Sequence, residues 1–223
     1  MTFSLTARCA KTGQFGVVIS SSSPAVAARC SHVRAGVGAV ASQNVTDPAL
    51  GPLLLDALEA GASAEAALQA VTARRDFIGY RQLLVVDASG GAAIHSGTNV
   101  LGIWGEARGK DCASGGNLLA NRDIPQTMVT AFEAAKGHLG DRLIAALQAG
   151  VAAGGEAGPV RSAGLKIADR LSWPLVDLRI DWADDPIAML GEAWSIYRPQ
   201  MAAYVQRAEN PTQAPSYGVP GDE

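Results

Sequence analysis

Thr2 carries the most direct chemistry this chain offers. It follows Met1, and its side chain is small enough for that methionine to be removed, which leaves a free threonine at the start. A threonine hydroxyl is a weak nucleophile until a base takes its proton. The α-amine of the same residue is such a base, with a pKa of about 7.7–8.0 that lies near working pH. Attack by such a hydroxyl on a carbonyl builds an oxyanion, which needs donors aimed at it. Ser20, Ser21, Ser22 and Ser23 end the second strand of an opening hairpin, and in-register pairing sets them beside Thr2. One of their hydroxyls or N–H groups completes such a site, or they are polar strand-end residues.

Other chemistries find little in the sequence. There is no G-x-x-x-x-G-K-[ST], no G-x-S-x-G, and no G-x-G-x-x-G opening a helix after a strand. Cys9, Cys30 and Cys112 are odd in number and lack C-x-x-C spacing, so they read as buried thiols rather than a disulfide frame or a zinc site. His32, His95 and His138 are not at ligand spacing; no metal and no cofactor is expected. With 18 Lys/Arg against 21 Asp/Glu the net charge is −3, and no cationic run exists to track a phosphate backbone, so nucleic acid is not an expected partner. No apolar stretch nears the ~18 residues of a membrane span. The start lacks a signal-peptide pattern, and the expected location is the cytoplasm. Among the 223 residues, 41 are Ala and only 12 are Phe, Trp or Tyr, so elements must pack closely through small side chains.

The elements that would position Thr2 follow from periodicity. Residues 2–9 and 15–22 form the hairpin around Lys11-Thr12-Gly13-Gln14. Residues 36–43 form a third strand, where Gly36 and Gly38 admit another backbone. A helix from Asp47-Pro48 stops at Gly61, and Ser63 caps the next, over 64–74. Strands are expected at 80–87, 92–96, 99–105 and 109–114, ending in Gly115-Gly116-Asn117. Helices follow at 123–136, with Asp123 and Gln126 as a capping box, and at 141–152. After the Gly154-Gly155 link come strands 162–168 and 175–181, then one long helix over 185–208. One domain spans 1–208, and 209–223 is a polar, Pro-containing tail. This order lacks strict β-α-β alternation and predicts an α+β fold in which two antiparallel sheets face each other with helices outside both.

Three blocks, Thr2–Arg8, Phe15–Ser22 and Arg34–Gln43, resemble the domain of unknown function 1028 family, which is grouped by fold with the N-terminal-nucleophile (Ntn) hydrolases. Further similar blocks are Tyr80-Arg81-Gln82, Val85–Ala88, Gly116–Ala120 and Val176–Asp181, so the resemblance covers Thr2 to about Tyr197. It implies a four-layer αββα sandwich and amide-type hydrolysis, with the substrate open.

The resemblance also implies roles. Asn117 resembles the asparagine that donates to the oxyanion in amidases of the superfamily; otherwise it is a left-handed turn residue. Gly116 would let a backbone N–H approach. Arg34 stands where proteasome-like members place a lysine near the nucleophile's amine, or is a surface arginine. Ser21, Ser22, His32 and Gln43 would line the pocket. Arg81 and Asp177 are charged residues on core strands that must be paired or solvated, so Arg81 is expected to link to a carboxylate or to anchor a substrate carboxylate. The resulting expectation is an amidohydrolase of a small metabolite or peptide-like substrate with Thr2 as nucleophile, in a homo-oligomer. The alternative is a ligand-binding or assembly protein on the same fold, without catalysis.

Overall fold

The computed structural model describes residues 1–222. β1 (Thr2–Arg8) and β2 (Phe15–Ser21) form the hairpin, with Thr2 opposite Ser21 and Arg8 opposite Phe15. A short helix α1 (Val26–Cys30) leads to β3 (Ser31–Arg34) and β4 (Gly38–Asn44). Helices α2 (Leu50–Glu59) and α3 (Ala64–Thr72) precede β5 (Arg81–Asp87), β6 (Ala92–Ser96), β7 (Gly105–Gly109) and β8 (Cys112–Asn117). Then come α4 (Ile124–Ala134), α5 (Leu139–Ala152), β9 (Ser162–Ala168), β10 (Val176–Ile180), α6 (Pro186–Tyr197) and α7 (Met201–Glu209).

All strand pairs are antiparallel and form two sheets, in the orders β10-β9-β2-β1-β8-β7 and β3-β4-β5-β6. β1 is thus an interior strand, paired on one side by β2 and on the other by β8. Its alternation sorts its residues. Phe3, Leu5 and Ala7 join a core cluster with Met128 and Phe132 of α4 and Leu143 and Leu147 of α5. A second cluster sets Val40, Leu83 and Val85 against Leu54 and Leu58 of α2. A third joins the two sheets directly, through Phe15, Val17 and Ala113 of one and Ala39, Ala41 and Leu84 of the other. Small residues at this contact allow close approach, as the alanine-rich composition requires.

At one end this apolar contact gives way to a buried polar network. Gln82 Oε1 accepts from Gln43 Nε2 at 2.8 Å and from Asn117 Nδ2 at 3.3 Å. Its Nε2 donates to Ser96 Oγ (3.1 Å) and to the carbonyl of Gly116 (3.3 Å), and Ser4 Oγ donates to Gln43 Oε1 (2.6 Å). Gln82, Gln43, Ser4 and Asn117 are all buried.

Several sequence expectations shift. Gly38 does allow close approach, since a Cβ there would lie 2.6 Å from the Val86 carbonyl, whereas Gly36 lies in the β3–β4 turn. Residues 99–104 are not a strand. The Leu101 and Ile103 carbonyls accept from the N–H groups of Leu118 and Leu119 (2.9 and 2.8 Å), and Gly102 at φ 63° turns the chain, so the strand begins at Gly105. Asp123 forms no capping box; its own backbone is helical, and its N–H donates to Asn121 Oδ1. The long last helix is broken at Pro199, whose missing N–H leaves a 3₁₀ turn between α6 and α7.

Replacing Gln82 with Met would leave Gln43 Nε2 and Asn117 Nδ2 buried without an acceptor. Urea unfolding is expected to show a loss of about 2–4 kcal/mol. A change below ~0.5 kcal/mol would show that this network does not hold the sheets together.

Candidate active site

Pairing on both sides of β1 places Thr2 between Ser21 of β2 and Asn117 of β8. Thr2 is 5% exposed. Its Oγ1 lies 2.5 Å from the Met1 carbonyl oxygen and 3.3 Å from Ser21 Oγ. Ser21 Oγ also donates to the Met1 carbonyl, and it accepts the N–H of Ser23 at 3.1 Å. The Met1 side chain lies over Gly158.

From Ser21 the hydroxyl chain continues. Ser21 Oγ and Ser23 Oγ are 2.8 Å apart, and Arg29 Nη2 donates to Ser23 Oγ at 2.6 Å. Arg29 Nη1 holds the carbonyls of Pro24 and Ala25 at 2.5 and 2.9 Å. Because the guanidinium only donates, it orients the Ser23 proton toward Ser21 and leaves the Ser21 proton for an acceptor beside Thr2. A cation therefore reaches Thr2 through two hydroxyls, from α1.

On the other side stands Glu156, 5% exposed, in the link between α5 and β9. Both its carboxylate oxygens accept the N–H of Ser22, at 3.0 and 3.1 Å. Burial is the main influence and pushes its carboxyl up to about 7, against the pull of the chain's N-terminal amine and of Ser22. Burial thus disfavours the charged form more than these partners favour it.

Of the residues singled out from the sequence, the structure brings Thr2, Ser21, Asn117 and Gln43 to one end of the two sheets. Ser22 contributes its N–H to Glu156. The Gly116 carbonyl is used by Gln82. Asn117 has its Nδ2 committed to Gln82, while Oδ1 is buried and unpartnered. Nδ2 carries two hydrogens and Gln82 takes one, so an oxyanion-donor role for Asn117 would fall to the second.

Three others lie elsewhere, while Arg81 stands at the same end of its sheet as Gln43, opposite Asn44, with its guanidinium turned to the loop carbonyl of Val45. Arg34 pairs with Asp56 (2.8 Å) and Glu59 (2.7 Å) of α2, at the opposite end of its sheet from Gln43. His32 is turned to α2, where its ring meets Gly51 and burial holds the imidazole below its ordinary pKa. Asp177 is paired with Arg179 and Lys166 on β10 and β9.

Arg29 and Glu156 are the site residues that sequence reading missed. Ser23-Pro24 before an alanine-rich run was the available sign of a helix carrying Arg29. Glu156 had none, because its partner Ser22 is 134 residues away. Next to Asn117, the 97–104 segment leaves Leu101, Ile103 and Trp104 exposed, anchored where the Leu101 N–H donates to Asn44 Oδ1 at 3.2 Å.

Residues 2–190 match the model of a family of unknown function (DUF1028), and the chain belongs to that family. Protein SPO2555 from Silicibacter pomeroyi, of the same family, is 29% identical; the match covers 88% of each chain with a TM-score of 0.82. Anbu (ancestral beta-subunit) from Yersinia bercovieri is 12% identical over 91% of this chain and 97% of its own, with a TM-score of 0.40. An Anbu (Gly-1) mutant from Hyphomicrobium sp. strain MC1 is 10% identical over 90% and 96%, with a TM-score of 0.43. No curated protein matches the chain.

Glu156 ordinarily titrates at 4.5 and in the folded chain at about 7. Between these values the folded chain keeps a proton that the unfolded chain has lost, so this group's contribution to stability falls as pH rises through the window and stays low above it. The stability of Glu156→Gln relative to wild type is therefore expected to grow from pH ~4.5 to ~7 and then level off, by on the order of 3 kcal/mol at most. Urea unfolding across pH checks this, and a flat difference would contradict the desolvated carboxyl.

Proposed function

We propose that the chain is an Ntn-type amidohydrolase on a four-layer αββα sandwich, with Thr2 as nucleophile once Met1 is removed. The observation that carries this reading is the interior placement of Thr2, with its hydroxyl in a chain that runs through Ser21 and Ser23 to Arg29. The two antiparallel sheets with helices against them support the fold assignment.

Loss of Met1 frees the α-amine of Thr2 and uncovers its hydroxyl. The amine takes the hydroxyl proton as Oγ1 attacks the substrate carbonyl. The Ser21 proton, now spent on the Met1 carbonyl, is then free to meet the oxyanion. The proton on the amine passes to the leaving nitrogen, the C–N bond breaks, and water cleaves the resulting Thr2 ester. Arg29 acts as a positioning residue that fixes the direction of the hydroxyl chain. Leu101, Ile103 and Trp104 suit a substrate with an apolar portion. Arg34, placed at the far end, is not part of this reading.

The second reading, binding without catalysis, is favoured by the Met1 carbonyl, which occupies both the Thr2 and Ser21 hydroxyls. Intact mass of slowly expressed protein, followed by a β-lactone acylation assay, separates the two. The hydrolase reading expects loss of one methionine, one acyl adduct per chain, no adduct in Thr2→Ala and a retained adduct in Thr2→Ser. Full retention of Met1 with no adduct would leave the binding reading.

Arg29→Met is expected to slow acylation by about tenfold or more, through loss of the charge-assisted bond to Ser23, while one adduct per chain still forms. An unchanged rate would remove Arg29 from the site.

A further inference from the structure

At the end of β1 remote from Thr2, a cleft of about 540 Å³ opens between the β1–β2 turn, the β7–β8 turn and helices α4 and α5. The length of β1 separates it from Thr2 by about 20 Å. Sites for small molecules typically measure about 300–1,000 Å³. Four cations line this cleft, Arg8, Lys11, Lys110 and Arg142, against two carboxylates, Asp111 and Glu133. In a chain whose net charge is −3, positive charge is thereby concentrated in one concavity.

The carboxylates leave most of that charge unmet. Asp111 is committed to Arg8, at 3.1 Å, and Glu133 Oε1 accepts the Lys110 N–H at 2.8 Å. Lys11, Lys110 and Arg142 form no ion pair among the described residues. Both lysines are exposed, and their flexible stems let the ammonium groups turn to an occupant. Arg142 is fixed instead. Its Nε and Nη2 donate to the Phe132 carbonyl, each at 3.3 Å, and its guanidinium lies 3.9 Å from the centre of the Phe132 ring. Its Nη1 has no hydrogen-bond partner among the described residues and is not sealed from solvent. The cleft thus offers one rigid donor and two mobile ammonium groups.

A neighbouring thiol feels the same surroundings. Burial raises the pKa of Cys9, but the Thr12 hydroxyl, the N–H groups of Thr12 and Lys11 and the charge of Arg142 outweigh it and hold the thiol below its ordinary value. Negative charge is favoured at this place in the fold. An excess of two positive charges suits a dianion, and the remaining volume leaves room for an organic body.

We propose that this cleft binds a small phosphorylated molecule, its phosphate held by Arg142 Nη1 and by the ammonium groups of Lys11 and Lys110. A phosphate monoester carries about two negative charges at neutral pH and has three strong acceptor oxygens, one for each of these donors. The site is separate from Thr2, and its test does not depend on hydrolysis.

The test is an NMR titration of the full chain with phenyl phosphate and, for comparison, inorganic phosphate, benzoate and phenol. Phenyl phosphate is expected to shift the amides of Ala10, Lys11 and Lys110 and to bind about fivefold tighter than benzoate or inorganic phosphate. Raising NaCl is expected to weaken it, and phenol to leave those amides unshifted. Lys11→Gln combined with Lys110→Gln is expected to lower the affinity for phenyl phosphate by about five- to tenfold. Arg142→Met is expected to lower it by about tenfold, through loss of a charge-assisted hydrogen bond. Arg142 also holds the end of α4, so should that variant fail to fold, the two exposed lysines decide alone. No saturable shift, shifts away from the cleft, or an affinity untouched by salt or by the lysine changes would each overturn the proposal. So would equal binding of benzoate, or of inorganic phosphate, which would reduce the occupant to a bare ion.

Discussion

The side-chain amide of Gln82 ties two sheets together at the end where the site lies. Elsewhere the sheets meet through Phe15, Val17, Ala39 and Ala41, contacts that fix closeness but tolerate sliding. A buried amide does not tolerate it, since each donor and acceptor lost in a dry interface goes unmet. By bonding Gln43 within its own sheet and Asn117 and Gly116 in the other, Gln82 sets the position of β8 against β5. β8 in turn pairs with β1, so the setting of Thr2 beside Asn117 is tied to a residue of the facing sheet, two strands removed from β1. Polar specificity is concentrated at one end, and it is there that the chemistry needs fixed geometry.

Around that frame the charges are divided. A guanidinium approaches from α1 through hydroxyls, and a carboxylate approaches from the α5–β9 link through a backbone N–H. Neither touches the Thr2 hydroxyl, and each is held by bonds of its own. The arrangement keeps full charges off a nearly buried threonine while orienting the dipoles next to it.

What the sequence made legible was local. The hairpin, the Ser run beside Thr2 and the Gly-Gly-Asn strand end all follow from alternation and turn residues, and pairing on β1 then brings Thr2, Ser21 and Asn117 together. Gly61 and Ser63 act as the stop and cap their types suggest. Less legible were features decided by distant partners. The 99–104 segment has strand-like residues, but its carbonyls are taken by Leu118 and Leu119. Arg34 is drawn away by two carboxylates on α2 that share no motif with it. Asp123 has a capping residue's type but lies in a helical conformation. The carboxylate of Glu156 owes its character to desolvation, a property of the packed molecule rather than of any sequence window.

The indole of Trp194 is 5% exposed, donates to Asp141 at 2.9 Å and lies 5.3 Å from the His138 ring, whereas Trp104, Trp173 and Trp182 are 37–62% exposed. The intrinsic fluorescence of the chain therefore divides into two classes. Three indoles emit from near water and are open to collisional quenchers. The fourth emits from a shielded setting whose nearest aromatic neighbour is a titratable ring, so the blue, quencher-resistant part of the spectrum is a built-in optical report on the junction of α5 and α6.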